Sequence, residues 1–529
     1  MPHKSYPTFL LLAVLAALSC TQIGGTLPEV PPKDGKAVVS LNEAFQTIHS
    51  FGASDCWSAK FIGTWADENA KNRIADLLFS LDTTANGQPK GIGLTLWRMN
   101  IGAGSYEQGE ASDIGDAWRR EECFQDAQGR YDWSKQAGSQ WFLNAARQRG
   151  VPYTLGFANS PPVHMTVNGK AFSPGGNSLN LRAGQLTRFA DFLTEVGAHF
   201  GFDYLSPINE PQWDWKADKN GKAGQEGTPA RSRDLIAVAK ALSSQLTKKG
   251  GKTTVVTGET AQIDYLYDKA ESGRGNQLVE LFAGNAALGT LPKVEPIAAY
   301  HSYFSTCDDA RLVGTRQKAL RAAQTAGSPT LWQSEFGVLG DICGKYNGYP
   351  RHTDMAYGLY VAKVIHNDLA IANAASWHWW LAINPYNYSD GLVYINGPDG
   401  TYQNHDNARL AGQVMESKQL WAFGNFARFV RPGMKRIRIT LEGNADPVAQ
   451  AGSYMLSGYK DEASKKIVLV AVNMTSRTVA LPLSGVPVRN NRFTTYTTDQ
   501  DKNLAKATAT SDTIVLVPES VTTLVGYYE

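Results

Sequence analysis

From about residue 50 to residue 380 the chain alternates two kinds of apolar pattern. Short continuous apolar runs end in Gly, Asn, Ser or Pro, as strands buried on both faces do. Between them lie longer segments whose apolar positions recur every three or four residues, the period of an amphipathic helix. The short runs fall at 50–53, 93–100, 152–158, 203–208, 253–257, 296–301, 330–334 and 374–379, which predicts eight strands. The helical patterns cover 71–81, 133–149, 182–200, 233–249, 309–326 and 354–372. In one of them Leu186, Phe189, Leu193, Val196 and Phe200 share a face. In another, Trp133, Ala137, Trp141 and Ala145 follow at i, i+4, with Asp132 expected as the N-cap. Eight strands alternating with helices predict an α/β fold, a (β/α)8 TIM barrel. A doubly wound open sheet competes, but it needs a Gly-rich phosphate loop after an early strand. Ile101-Gly102-Ala103-Gly104-Ser105 is only a fragment of one, and no helical pattern follows it.

After about residue 424 the rhythm changes. Strand-like segments at 435–442, 453–459, 466–472, 478–483, 492–498 and 513–517 are separated by turn residues, and 524–528 reads as a last strand. This is a β-sandwich of about 100 residues. A lone strand near 38–41 precedes the barrel and is expected to pair into the sandwich, so that both chain ends build one appended domain. The expected organisation is a signal segment at 1–20, a linker at 21–35, N-terminal sandwich strand at 36–49, barrel at 50–424 and sandwich at 425–529.

Composition changes this picture little. The 529 residues are 43% hydrophobic and 19% charged, an ordinary globular balance. A net charge of +2 gives no field that would recruit nucleic acid or an acidic surface. The first twenty residues matter more. His3 and Lys4 precede an apolar stretch at 9–18 that is too short to span a bilayer, and Ser19-Cys20 follows. That resembles a bacterial lipoprotein signal, with Cys20 becoming the lipidated N-terminus, although Ala17-Leu18-Ser19 inverts the usual order. The expected location is the cell envelope or outer membrane, with contact to membrane only through that anchor. Plain secretion or a periplasmic location is the alternative. Without Cys20, four of the five cysteines remain: Cys56, Cys123, Cys307 and Cys343. Export favours disulfides, and three pairings are possible. Cys307 with Cys343 is preferred, because the two follow adjacent predicted strands. No CxxC occurs and the nine histidines are scattered, so no metal and no cofactor are expected.

The chemistry is concentrated at the strand ends. In YLSPINEPQWDW, 204–215, the apolar run stops at Asn209-Glu210-Pro211, since Pro211 has no N–H with which to continue a central strand. Trp213 and Trp215 follow in a polar loop, where indole faces suit sugar C–H surfaces and a carboxylate can move protons. In LWQSEFG, 331–337, another apolar run ends in a carboxylate, Glu335. The other predicted strand ends carry Asp55 and Trp57, Arg98, Asn159, Glu259, His301 and Tyr303, and Trp377 to Trp380. In a barrel these ends face one site.

These stretches carry a resemblance. GIGLTLWRMNIGAGSYEQG, LSPINEPQWDW, GQEG and LWQSEFG resemble glycoside hydrolase family 30, and within it the endo-β-1,6-galactanase-like subgroup, over nearly the whole mature chain. The resemblance implies a retaining glycosidase with Glu210 as acid/base and Glu335 as nucleophile. It implies that Asn209 bonds the sugar 2-OH and that Arg98 and Tyr303 support Glu335. Trp380 or Trp379 is expected to floor the subsite where the bond breaks, with Trp57, Trp213 and Trp215 lining neighbouring subsites. Asp55, Asn159 and His301 complete the expected substrate-binding set.

The expected partner is therefore a polysaccharide or oligosaccharide, met by a monomer. β-1,6-Glucanase, xylanase or exo-glycosidase activity is the alternative within the same chemistry. A surface glycan-binding lipoprotein without catalysis is the alternative outside it. The anchoring expectation is tested by cell fractionation: Cys20→Ala should move the protein from the membrane fraction to the soluble exported fraction. A wild type already soluble after export overturns the lipoprotein reading.

Overall fold

The computed structural model describes residues 34–268, 273–284 and 287–529. The expected signal segment and nearly all of the expected linker lie outside these. Eight strands build the barrel: β2 (Ser50–Ser54), β3 (Leu96–Asn100), β4 (Tyr153–Phe157), β5 (Tyr204–Ser206), β6 (Thr254–Thr260), β7 (Val294–His301), β8 (Thr330–Glu335) and β9 (Ser376–Asn384). They follow β1 (Lys36–Thr47). Strands β2 to β9 pair in parallel in chain order, and β9 pairs with both β2 and β8, which closes the barrel. All eight predicted runs are therefore strands. The expected (β/α)8 barrel is the observed fold.

The helices lie close to their predicted positions. Asp67, Asp308 and Asp354 cap Glu68–Phe79, Asp309–Thr325 and Met355–Ala370 by accepting backbone N–H groups of the first turn. Asp132 does not act as an N-cap. The helix there is Ala137–Gln148, one turn later than expected, and it follows Gln136 at φ 53°. Asp132 instead accepts from the Ser134 amide and hydroxyl. Trp133 stacks flat on His199 at 3.8 Å, which holds it outside the helix.

Two strands escaped the sequence reading here. β10 (Gly391–Asn396) runs parallel to β9, and β11 (Gln413–Glu416) runs antiparallel to β10, so the β9 edge carries an extension outside the barrel.

The remaining strands are β12 (Lys435–Glu442), β13 (Tyr454–Asp461), β14 (Lys466–Asn473), β15 (Val479–Ser484), β16 (Arg492–Thr498), β17 (Ala505–Thr510), β18 (Thr513–Leu516) and β19 (Ser520–Tyr527). With β1 they form one nine-stranded sheet. β1 lies between β12, antiparallel, and β15, parallel. The sheet curls over its own apolar core, which includes Val39, Leu441, Leu469, Leu481, Phe493 and Leu516. β17 was not predicted, because Ala505 to Thr510 has no buried face.

The helix Lys418–Ala427 joins sheet to barrel. The Asn425 side chain donates to the Tyr496 carbonyl and to Thr523 Oγ1, and the Thr523 hydroxyl donates back to the Asn425 carbonyl. Among the described residues, no helix is long and apolar enough to cross a membrane.

Behind the strand ends one buried carboxylate ties four elements together. Asp368 accepts from Arg316 Nε at 2.9 Å, Tyr300 Oη at 3.2 Å, Trp377 Nε1 at 2.9 Å and Ser302 Oγ at 2.9 Å. Removing it strands the Arg316 guanidinium in the interior, so Asp368→Ala is expected to lower stability by about 3–5 kcal/mol, read by denaturant unfolding. A loss of well under 1 kcal/mol would show that Arg316 finds other partners.

Candidate active site

The rim of the barrel gathers charges contributed by five strands or strand ends. Arg98, on β3, is fully buried. Its Nη1 donates to Glu335 Oε2 at 2.5 Å and its Nη2 to Asn209 Oδ1 at 2.9 Å. The same guanidinium lies 3.6 Å from Glu259 Oε2 and 3.8 Å from the centre of the Phe157 ring. Glu335 ends β8, and its Oε1 accepts the Tyr303 hydroxyl at 3.2 Å. His301 ends β7 and bridges two carboxylates, with Nδ1 at 2.9 Å from Glu210 Oε1 and Nε2 at 3.0 Å from Glu259 Oε2. Glu259 also accepts the Ser334 hydroxyl at 2.6 Å.

Local backbone explains why the carboxylates converge. Glu210 follows β5 and Glu259 lies on β6, each with φ 45°, in the left-handed region that side chains rarely adopt. Such outliers persist where the surroundings hold them. The Glu210 amide donates to the Glu259 carbonyl at 3.0 Å, and the Glu210 carbonyl accepts Trp213 N–H and Trp215 Nε1–H. Both strand ends therefore turn their side chains toward His301 together. One donor atom each of Glu210, His301 and Glu335 lies within 4.8 Å of the others.

The proton affinities diverge within this cluster. Burial alone would lower His301, but the charge of Glu335 and the hydrogen bonds to Glu210 and Glu259 outweigh it and push the imidazolium up to about 10. Burial raises Glu210, and the charge of Glu335 adds to this against the opposing pull of His301 and Arg98. Burial acts on Glu259 too, but Arg98, His301 and Ser334 together hold it well below the usual carboxylate range. Two cations thus face three carboxylates, of which Glu210 is pushed toward holding a proton and Glu259 away from it. By spacing alone the Glu210–His301–Glu335 set would also suit a metal ion. Both His301 ring nitrogens are already engaged by carboxylates, Nδ1 by Glu210 and Nε2 by Glu259, an arrangement that also suits proton handling.

The other expected residues are distributed around this cluster. Trp380 lies at the rim, edge-on to Trp57 at 5.2 Å and 5.9 Å from the Arg98 guanidinium. Trp379 points the other way: it is fully buried, packs on Phe336 and Trp377, and donates to the Asp390 carbonyl. Of the two tryptophans, Trp380 is the one that borders the Arg98 cluster. Asn159 approaches Asn100 at 3.4 Å. Asp55 accepts the Asn100 amide, and burial pushes its carboxyl up to about 8, so it sits in a neighbouring buried group rather than among the charges around His301. Trp213 and Trp215 are half-buried, Trp213 against Tyr265 and Phe304.

Glu259 and Ser334 were missing from the expected site. Glu259 was visible as a strand-end carboxylate, but nothing in the sequence separates a partner of the site from an isolated rim residue. The Cys307–Cys343 disulfide is present and ties the loop after β7 to the loop after β8, while Cys56 and Cys123 are free and buried.

The raised affinity of His301 has a consequence for stability. Its folded value of about 10 exceeds the unfolded 6.5, so its contribution is fully present below about pH 6.5 and is lost as pH rises toward 10. In urea titrations, the stability margin of wild type over His301→Gln should narrow across that window. A margin that widens or stays flat overturns the assignment of a protonated His301.

Comparisons with known proteins agree with this arrangement. The model of O-glycosyl hydrolase family 30 matches residues 34–394. A conserved exported protein from Bacteroides fragilis is similar at 32% identity, with 93% of this chain and all of that one covered and a TM-score of 0.86. The catalytic domain of xylanase C from Talaromyces cellulolyticus shares the fold at 20% identity, with 93% and 99% covered and a TM-score of 0.65. An endo-β-1,6-glucanase shares it at 15% identity, with 93% and 94% covered and a TM-score of 0.63. A closed parallel barrel with its appended sheet, two glutamates at strand ends of one rim and a family match over most of the chain lead to one conclusion: this protein belongs to O-glycosyl hydrolase family 30.

Proposed function

We propose that the protein is a retaining endo-glycosidase that hydrolyses β-1,6-linked galactan, such as the side chains of arabinogalactan, with Glu335 as nucleophile and Glu210 as acid/base. One observation carries the chemistry: Glu210 and Glu335 meet across His301 in unlike environments. Oxygen atoms of the two lie within 4.8 Å, nearer the spacing of about 5–5.5 Å that suits retention than the about 6.5–9.5 Å that leaves room for a water.

In the first step a Glu335 oxygen bonds to the anomeric carbon. The bond to the leaving oxygen breaks, and that oxygen takes the Glu210 proton. His301 already engages Glu210 Oε1, so the mobile proton belongs on Oε2. In the second step a water gives its proton to Glu210 and its oxygen to the anomeric carbon, releasing Glu335 and retaining configuration. Arg98 and Tyr303 stabilise the Glu335 carboxylate each time it departs. Asn209, its oxygen held by Arg98, offers its amide N–H groups to the sugar 2-OH. Trp380 floors the subsite at the breaking bond, with Trp57, Trp213 and Trp215 beyond it.

The galactan assignment rests on the likeness of the Trp97–Gly109 and Gln212–Trp215 stretches to β-1,6-galactanases. A site built to bond the axial 4-OH of galactose leaves polar groups unpaired when glucose arrives, and such mismatches discriminate strongly. The reading includes export and anchoring through Cys20, and action as a monomer.

Glu335→Gln should abolish turnover without loss of fold. Glu210→Gln should slow the first step by about 10²–10⁴-fold for poor leaving groups. Proton NMR of the first product should show the β anomer, and an α anomer overturns the mechanism. Debranched arabinogalactan and β-1,6-glucan, compared at equal enzyme, test the substrate. Short galacto-oligosaccharides are expected early. Faster release from the glucan, or galactose as the sole early product, overturns the galactanase reading. Binding without hydrolysis of any β-linked glycan favours the lectin-like alternative.

A further inference from the structure

Most large apolar side chains exposed among the described residues are scattered singly, for example Phe45, Val279, Leu410 and Val515. Four are not. Leu339, Ile342 and Tyr349 fall in the loop after β8, and Tyr388 in the loop after β9. Tyr349 is 62% exposed and Tyr388 42%, yet their rings lie 5.8 Å apart. Two large rings held this close in solvent need a scaffold, and one is present. Ser389, next to Tyr388, donates from its amide to the Gly348 carbonyl at 2.7 Å and from its hydroxyl to the Pro350 carbonyl at 3.0 Å. It thereby clamps the residues on either side of Tyr349. Arg351 donates from its guanidinium to the Tyr386 carbonyl and from its amide to the Asn387 side-chain oxygen. The Cys307–Cys343 disulfide pins the same loop at Cys343, six residues before Tyr349.

These loops grow directly from the reactive rim. The first begins just after Glu335: Gly337 is packed so closely that an added Cβ would lie 3.1 Å from Asp390 Cβ and 3.4 Å from Trp380 Cβ. Tyr388 stands two residues before that Asp390. Further rings lie around Trp380 on this rim. Trp57 touches Trp380, and the Arg119 guanidinium lies 4.7 Å from the Trp57 ring and 5.5 Å from the Tyr386 ring. Exposed tyrosines set in a fixed pair beside a sugar cleft present flat apolar faces to the C–H surfaces of pyranose rings.

We infer that Tyr349 and Tyr388 form a distal platform, beyond the subsites around Trp380, that binds a further stretch of the same galactan chain during cleavage. The inference rests on the reading of the protein as a galactan hydrolase and adds where the polymer lies outside the reacting unit. The platform has no part in the bond-breaking step. Its contribution is to hold long substrates, and short ones do not reach it.

The test compares wild type, Tyr349→Ala/Tyr388→Ala and Tyr527→Ala, the last a tyrosine of the appended sheet. Each is assayed on debranched galactan and on the shortest galacto-oligosaccharide that wild type cleaves. The double variant should lower the ratio of kcat/KM on polymer to kcat/KM on oligosaccharide by about fivefold or more, chiefly through KM. Tyr527→Ala should leave that ratio where it is. In the Glu335→Gln protein, retardation in native gels cast with galactan should weaken on adding the double substitution. An unchanged ratio together with unchanged retardation overturns the platform. A wild-type dimer in sedimentation that the double variant abolishes also overturns it, because the rings then seat a second copy. If wild type ignores galactan but cleaves another β-linked polymer, the galactan reading fails. The platform then stands or falls on the same ratio measured with that polymer.

Discussion

Two cations, Arg98 and His301, sealed among three carboxylates, Glu210, Glu259 and Glu335, form the constraint on which the rest of the structure depends. None of these charges is tolerable alone at such depth. Together they offset one another, and burial pushes Glu210 toward its neutral form. The balance is unequal by construction. Glu210 and Glu259 both touch His301, yet only Glu259 has Ser334 on its carboxylate and Arg98 within ion-pair distance. One histidine thus holds one carboxylate firmly ionised and leaves the other able to gain or lose a proton. That difference between chemically identical side chains comes from their neighbours alone.

Such a cluster demands a closed scaffold. Its members come from β3, the end of β5, β6, β7 and β8, so opening the barrel at any seam would separate a charge from its partner. The scaffold is braced from behind by Asp368, which binds β7, β9 and two helices through one carboxylate. It is braced from outside by the appended sheet. That sheet takes one interior strand, β1, from before the barrel and its other strands from after it. The segments that flank the barrel are thereby held in one sheet, and the helix Lys418–Ala427 is bonded to that sheet.

Much of this was legible in the residues. The eight apolar runs, their spacing and the periodic segments between them specify a barrel, because strand and helix patterns are local and differ in period. The change to Val- and Thr-rich short runs after residue 424 marks the second sheet for the same reason. Pro211 and Gly337 mark where strands four and seven stop, and so place Glu210 and Glu335 at the rim. Elements without a one-sided pattern were not legible. β17 is exposed along its length, and β10 and β11 hang on the barrel edge through pairing that no local period announces. Asp132 looks like an N-cap, but Trp133 is drawn to His199, 66 positions along the chain, and the helix waits for Ala137.

By itself, then, the sequence determined which residues reach the rim, because that depends on where each strand begins and ends. Only the tertiary structure decided what each becomes there. Trp379 and Trp380 are adjacent in sequence, yet one packs on Phe336 and Trp377 and the other beside Arg98. Glu259 had the same local description as Glu210, and it acquired its role from Arg98, 161 residues earlier, and Ser334, 75 residues later. Proton affinity arises from burial and from charges within a few ångströms, and those neighbours are brought together only when the barrel closes.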